Sequence, residues 1–255
     1  DGFAISTILY DKFIEQNNLS NLIEKSLDEI DYNKLDDKEN KSKILIDKIT
    51  KGTFNDSQIE EITNFYNKLC NKYNNTNLEV AIRSSAIAED MPNASFAGQQ
   101  DTYLNIFIID NIIPNIKMCF ASLFNVRALS YRHTHDIKLN DVKISVAIQK
   151  MVRSDIGSAG VAFSIDPESG YDKAIVINSS FGLGELVVSG GVKPDEIICD
   201  KFSLKKVDAD PIIMKKMGEK NNKIIYDKEG GTREIETNLI EKLNFSITNN
   251  QSIDL

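Results

Sequence analysis

Arg83 is the residue around which chemistry could be built. It closes the short apolar run Val80-Ala81-Ile82 and is followed by Ser84 and Ser85, the acidic pair Glu89-Asp90, Pro92, and then Ala94-Ser95-Phe96-Ala97-Gly98-Gln99-Gln100. A guanidinium stays protonated, and its planar fork matches phosphate oxygens. Ala94, Ser95, Ala97 and Gly98 carry almost no side-chain bulk, so backbone N–H groups there could approach an anion closely. The stretch reads as strand, cationic anchor, loop, and a second strand over Thr102–Ile108. On the residues alone it reads equally as a β-hairpin with a small-residue tip and a surface arginine, because small residues are common in turns.

Other chemistry-bearing residues are less productive. No G-x4-G-K-[ST] occurs, so this is not a P-loop chain. Gly182-Leu183-Gly184 lacks a third glycine at the spacing of a dinucleotide fingerprint; with Glu185 it is a tight turn or a ligand loop. His133 and His135 stand beside Arg132 and Asp136, but an i, i+2 spacing at a helix end does not converge on one face, and no third ligand follows. They are expected to be exposed polar residues. Cys70, Cys119 and Cys199 are far apart and form no CxxC pair, so buried reduced thiols are expected, without a disulfide framework or zinc site.

The elements that must position these residues can be sketched from pattern. The 255 residues, 41% hydrophobic and 27% charged, can bury a sizeable core as one large domain or two small ones. The net charge of −8 argues against general nucleic-acid binding, and any anion site must concentrate positive potential locally. No apolar run reaches membrane-spanning length and no signal peptide is visible, which points to the cytoplasm. Ser6 is a candidate cap for a helix with Ile5, Ile8, Leu9 and Phe13 on one face. Polar surface helices with a linker near Asp36–Asn40 come next, then an amphipathic helix over Asp56–Tyr73. Pro114 sits early in a further helix running to about Tyr131. Strands over Lys143–Met151, Val161–Asp166 and Ala174–Asn178, separated by short turns, indicate an antiparallel sheet. Ile197–Cys199 with Ser203–Val207 reads as a hairpin, 215–236 as a further meander, and 238–255 is weakly patterned.

Arg-Ser-Ser at 83–85, Ala-Glu-Asp at 88–90 and Ser-Phe-Ala-Gly-Gln-Gln at 95–100 make, in this order, a long match. They resemble the signature of the nucleotide-binding domain shared by phosphoenolpyruvate synthase, pyruvate phosphate dikinase and rifampicin phosphotransferase. Gln149–Asp155, Val192–Glu196 and Lys216–Lys220 most resemble the synthase members. The resemblance implies an α+β, ATP-grasp-like fold of two lobes, 1–142 and 143–255, incomplete at both ends. The family's glycine- and lysine-bearing loop would precede Gly-Phe-Ala, and its acidic strand would follow Leu255.

Residue by residue, the resemblance implies that Arg83 contacts the ATP phosphates and is the catalytic residue, while Gly98, Thr102 and Tyr103 form the loop and the strand behind it. Gln149 would sit on the adenine side, Met151 would offer backbone groups to the base, and Gly182, Gly184 and Glu185 would line the cleft wall. ATP and Mg²⁺ are the implied cofactors, the metal bridging phosphates. The implied reaction passes the β-phosphoryl group of ATP to a histidine on a separate domain and then to pyruvate on a third. Those domains are the implied partners; nucleic acid and membrane are not, and a homo-oligomer is left open. The alternatives are part of a rifampicin phosphotransferase or a non-catalytic nucleotide-sensing module. This chain by itself is expected neither to make phosphoenolpyruvate nor to bind ATP tightly.

Overall fold

The computed structural model describes residues 1–86, 90–91, 94–95, 101–135, 137, 143–206 and 209–255. It consists of two compact units, Asp1–Met151 and Val152–Leu255. Helices and antiparallel sheets are mixed throughout, an α+β arrangement.

In the first unit, alternation in Gly-Phe-Ala-Ile makes strand β1 (Gly2–Ile5), and the expected first helix starts only afterwards as α1 (Thr7–Gln16). Ser6 occupies the cap position in extended conformation, yet its hydroxyl makes no capping bond. α2 (Ser20–Asp28) and α3 (Leu35–Lys51) follow. The linker expected near Asp36–Asn40 is instead the first turn of α3. Asp36 and Asp37 there meet the positive end of the helix dipole, and buried Leu45 and Ile49 tie the helix to the core. α4 (Asp56–Lys72) runs where its apolar stripe predicts and opens on a reciprocal capping box between Asn55 and Gln58, with bonds of 2.9 and 3.0 Å.

β2 (Val80–Ala86), the two-residue strands β3 (Asp90–Met91) and β4 (Ala94–Ser95), and β5 (Thr102–Ile106) follow. The helix expected from Pro114 to Tyr131 is two helices, α5 (Ile109–Ser122) and α6 (Val126–Thr134). The break falls at Asn125, whose side chain caps α6 by accepting the Ala128 N–H at 2.7 Å. β6 (Ile144–Lys150) completes a four-stranded antiparallel sheet in the order β1-β6-β2-β5. This strand was expected to open the second lobe at residue 143. It lies instead in the middle of the first unit's sheet, paired with β2 over seven residues, so the first unit runs on to Met151.

The helices cover one face of that sheet. Ile5, Val80, Ile82, Ile144, Val146 and Ile148 point into a core that holds Phe13, Phe54 and Phe120, whose rings meet at tilted angles with centroids 4.8–6.1 Å apart. The buried Tyr66 hydroxyl donates to the Leu78 carbonyl at 3.0 Å and accepts the Ile108 N–H at 3.2 Å. One side chain on α4 thereby fixes the chain just before β2 and just after β5. It also holds Ile108 at φ +66°, a conformation that a β-branched residue rarely adopts.

The second unit opens with one 3₁₀ turn (Ser154–Ile156) and continues as β7 (Ser158–Phe163), β8 (Ala174–Phe181), α7 (Glu185–Ser189), β9 (Asp195–Asp200) and β10 (Ile212–Lys216). β11 (Asn222–Tyr226), β12 (Thr232–Glu236), α8 (Leu239–Leu243) and α9 (Asn249–Asp254) close it. Its main sheet is antiparallel in the order β10-β9-β8-β7, and β11 and β12 form a separate hairpin. The partner of β9 is β10, not 203–207: Asp200 accepts the Ser203 N–H at 2.7 Å and folds Ser203–Lys205 into a 3₁₀ turn. The weakly patterned end carries two capping boxes, Asn238 with Glu241 and Thr248 with Gln251.

At the centre of this unit the Lys220 ammonium meets the Asp195 carboxylate at 2.5 Å, both side chains fully buried. Asp195 also accepts the backbone N–H of Gly218 (2.9 Å) and of Ser246 (2.7 Å), and Lys220 donates to the Gly218 carbonyl (3.1 Å).

Candidate functional site: the open face of the first sheet

The candidate site is built by register. Arg83 on β2 stands directly opposite Ala147 on β6 and Thr102 on β5, and Ala147 in turn faces Ala4 on β1. One row along, Gln149 pairs with Ala81 on one side and Gly2 on the other. One row the other way, Ser145 pairs with Ser85. Successive side chains of a strand point to opposite faces, so all of these share the face that the helices leave uncovered. Arg83, Ser85, Thr102 and Gln149 are exposed and Ala147 is half-buried, whereas Ala81, on the same face, is buried. On β1, β2 and β6 the floor is therefore made largely of Gly, Ala and Ser, and Arg83, Thr102 and Gln149 rise from this face.

Small side chains on an open sheet face are unusual, because such a face is ordinarily covered by long polar residues. Here the backbone leaves no alternative at one corner. A Cβ built on Gly2 would sit 2.2 Å from the Ile148 carbonyl oxygen, inside contact distance. Arg83 has no ion pair among the described residues, and the nearby Asp101 carboxylate is engaged elsewhere. Asp101 faces Arg127 of α6 at 3.7 Å, and its carbonyl accepts the Ser84 hydroxyl at 3.3 Å. The two serines after Arg83 thus divide: Ser84 ties the root of the 87–100 segment, and Ser85 shares the face of Arg83.

The remaining expected site residues fall elsewhere. Tyr103 is on the helix-covered side, packed against the core; burial pushes its phenol well above its ordinary range, with Asp101 and Cys119 adding to the rise. Its side chain supports the strand from beneath and does not join Arg83. Met151 is buried at the end of the unit, and its N–H is already given to the Glu79 carbonyl at 2.9 Å. Gly98 lies outside the described residues. In the second unit, Gly182 adopts φ +82° and donates its N–H to Gly157, and Leu183 donates to Ile224. Gly184 then caps the five-residue α7, with Glu185 exposed in its first turn. His133 and His135 are exposed, as expected; His133 stacks on Tyr32 with centroids 3.9 Å apart, and His135 packs at a tilt against Tyr131 at 4.3 Å. All three cysteines are buried and free.

Comparison with known proteins shows which family the chain belongs to. The family model described as "Pyruvate phosphate dikinase, AMP/ATP-binding domain" matches residues 1–255. The chain belongs to that family. The phosphoenolpyruvate synthase of Aquifex aeolicus (strain VF5) is 45% identical over 225 residues, 88% of this chain and 26% of that protein. The Helicobacter pylori phosphoenolpyruvate synthase is 43% identical over 251 residues, 97% of this chain and 31% of its own length. That of Synechocystis sp. (strain ATCC 27184 / PCC 6803 / Kazusa) is 37% identical over 260 residues, covering all of this chain and 32% of the relative. The chain thus spans less than a third of the length of the curated relatives it matches.

For an AMP/ATP-binding domain the geometry is apt. A floor of small side chains admits a ligand close to the backbone, and a guanidinium with no ion pair among the described residues supplies charge to an anionic one. Among the described residues no group of three or more His, Cys, Asp or Glu side chains converges to hold a metal ion, and no helix is long and apolar enough to cross a membrane. Reading from sequence missed the floor itself: Gly2, Ala4, Ala81, Ser85, Ser145 and Ala147. The signal was present in the alternation of small residues with Ile and Val along three strands, which reads at first sight only as β-propensity.

Proposed function

We propose that this open face is where the domain receives ATP, with Arg83 on the phosphates, Gln149 toward the adenine and Thr102 at the flank. The observation that carries the proposal is the register that puts Arg83, Thr102 and Gln149 together on a floor of Gly, Ala and Ser. Gly98 from the glycine-bearing segment, with Tyr103 and Met151 as backing, belongs to the same proposal, and Gly184 and Glu185 are proposed as nucleotide-contacting residues of the second unit. The two units would be the lobes of an ATP-grasp-like fold.

The whole protein, on this reading, is a phosphoenolpyruvate synthase (pyruvate, water dikinase). It moves the β-phosphoryl group of ATP to a carrier histidine on another domain and then to pyruvate, giving phosphoenolpyruvate, AMP and phosphate. The similarity to proteins named phosphoenolpyruvate synthase supports this and does not favour the rifampicin phosphotransferase or sensing-module alternatives. Such transfer asks for positioning and charge neutralisation more than covalent help, which is what a rigid sheet with one fixed guanidinium offers. Mg²⁺ belongs to the same proposal as the counter-ion of the phosphates; the described residues supply no ligand set for it. A cytoplasmic location belongs to it as well.

The test is nucleotide binding by the full-length protein with Arg83→Ala and Gln149→Ala. ATP binding weakened roughly 10- to 150-fold in the first and reduced discrimination between ATP and GTP in the second are expected. Unchanged ATP affinity in Arg83→Ala would remove the sheet face from consideration.

A further inference from the structure

The motif Arg83-Ser84-Ser85 is only partly used by the reading above, and the register says what its last member can do. Arg83 and Ser85 are two residues apart on one strand, so they rise from the same face about 6.8 Å apart. The rows of the floor run in order: Gln149 with Ala81, then Ala147 with Arg83, then Ser145 with Ser85. A nucleotide laid with its base toward Gln149 and a phosphate at Arg83 has its chain directed to the third row. That row holds two hydroxyls. The Ser145 hydroxyl donates to the Ser85 carbonyl at 3.2 Å, which locks the row to the backbone. The exposed Ser85 hydroxyl has no bond among the described residues.

We propose that Ser85 is a phosphate ligand of this site, its hydroxyl donating to a phosphate group beyond the one that Arg83 meets, so that it separates nucleoside triphosphates from monophosphates. The inference rests on the proposed use of the sheet face for ATP. Ser84 cannot substitute, because its side chain is on the other face and holds the Asp101 carbonyl.

The experiment measures ATP and AMP affinity by calorimetry on the full-length protein, with Ser85→Ala, Ser85→Thr and Arg83→Ala. Ser85→Ala is expected to weaken ATP about tenfold, the value of one hydrogen bond to a charged group, and to leave AMP unchanged. Ser85→Thr keeps a hydroxyl and is expected to restore most of the ATP affinity. Equal loss for ATP and AMP, or no loss for either, would overturn the role of Ser85. If Ser85→Ala is silent while Arg83→Ala weakens ATP binding about tenfold or more, the inference fails and the reading of the face survives. If Arg83→Ala is silent too, both fail.

Discussion

Arg83 and Lys220 are cations placed in opposite circumstances, one in each unit. Arg83 is exposed on an open sheet and has no ion pair among the described residues. Lys220 is fully buried against Asp195; Gly218 bonds to both, and the Ser246 N–H donates to Asp195. A buried charge must be paired and hydrogen-bonded or its desolvation is not offset. The second unit meets that demand: each Asp195 oxygen has a donor, and Lys220 reaches a carbonyl as well as the carboxylate. The charge of Lys220 is consumed inside the fold. The charge of Arg83 has no such partner among the described residues, and a guanidinium above a floor of small side chains suits an anionic ligand. On the proposed reading, the difference separates a residue kept for stability from one kept for binding, although both stand in motifs that match the same family.

The largest effect should come from breaking the buried hub. Lys220→Ala leaves Asp195 charged, buried and unpaired, so a loss of about 3–5 kcal/mol is expected in urea unfolding. Asp195→Ala should cost at least as much, since it also strands the Gly218 and Ser246 N–H groups, each worth about 1–3 kcal/mol when unsatisfied. A loss below about 1 kcal/mol for either would erase the contrast. Arg83→Ala should behave oppositely. Its stability should stay within about 0.5 kcal/mol of wild type, while ATP binding falls by about 1.5–3 kcal/mol, roughly 10- to 150-fold. Substantial unfolding in Arg83→Ala would make it a second structural cation.

Gly182→Ala tests the turn that follows β8. The φ of +82° strains any L residue, and the added Cβ would lie 2.5 Å from the Ile224 carbonyl oxygen, so about 1–3 kcal/mol is expected, read as a lower urea midpoint. An effect near zero would mean that the turn relaxes, and that the second unit is less fixed than its buried hub suggests.

What was legible in the sequence follows from how local each cause is. The stripe on α4 and the strand character of 80–86 and 144–150 are written in residues a few positions apart. Arg83, Thr102 and Gln149 could be named from motif resemblance, yet their meeting depends on β6 inserting between β1 and β2, which no local pattern reveals. The same non-locality put the expected unit boundary at 143, since a strand does not announce which sheet it joins. Asp195 and Lys220 were both within recognised motifs, but their contact spans 25 residues and relies on Lys220 taking φ +44° in a turn. Capping boxes at Asn238 and Thr248 were readable and were overlooked, because the short helices they start bury little and leave almost no apolar period.

The smallest effect sharpens the comparison by supplying a case between its extremes. Arg153 donates to Asp155 through two bonds of 2.8 Å; the carboxylate is nearly buried while the guanidinium is half in solvent, over the Tyr226 ring at 5.1 Å. The Arg153 hydrogen bonds hold the Asp155 carboxyl below its ordinary range, more than offsetting the burial that would raise it. A depressed carboxyl binds fewer protons folded than unfolded. Its contribution is therefore fully present above the unfolded value, about 3.9, and is lost as pH falls through the lower folded value. Solvent around Arg153 screens the pair, so Asp155→Asn should cost only about 1 kcal/mol at pH 7. The variant should also show a shallower loss of stability below pH 4 than wild type. If Asp155→Asn instead costs as much as Lys220→Ala, full burial is not what distinguishes the hub. A bidentate pair with one wet partner would then suffice, and the absence of any such pair at Arg83 would be the stronger sign that its partner is a ligand.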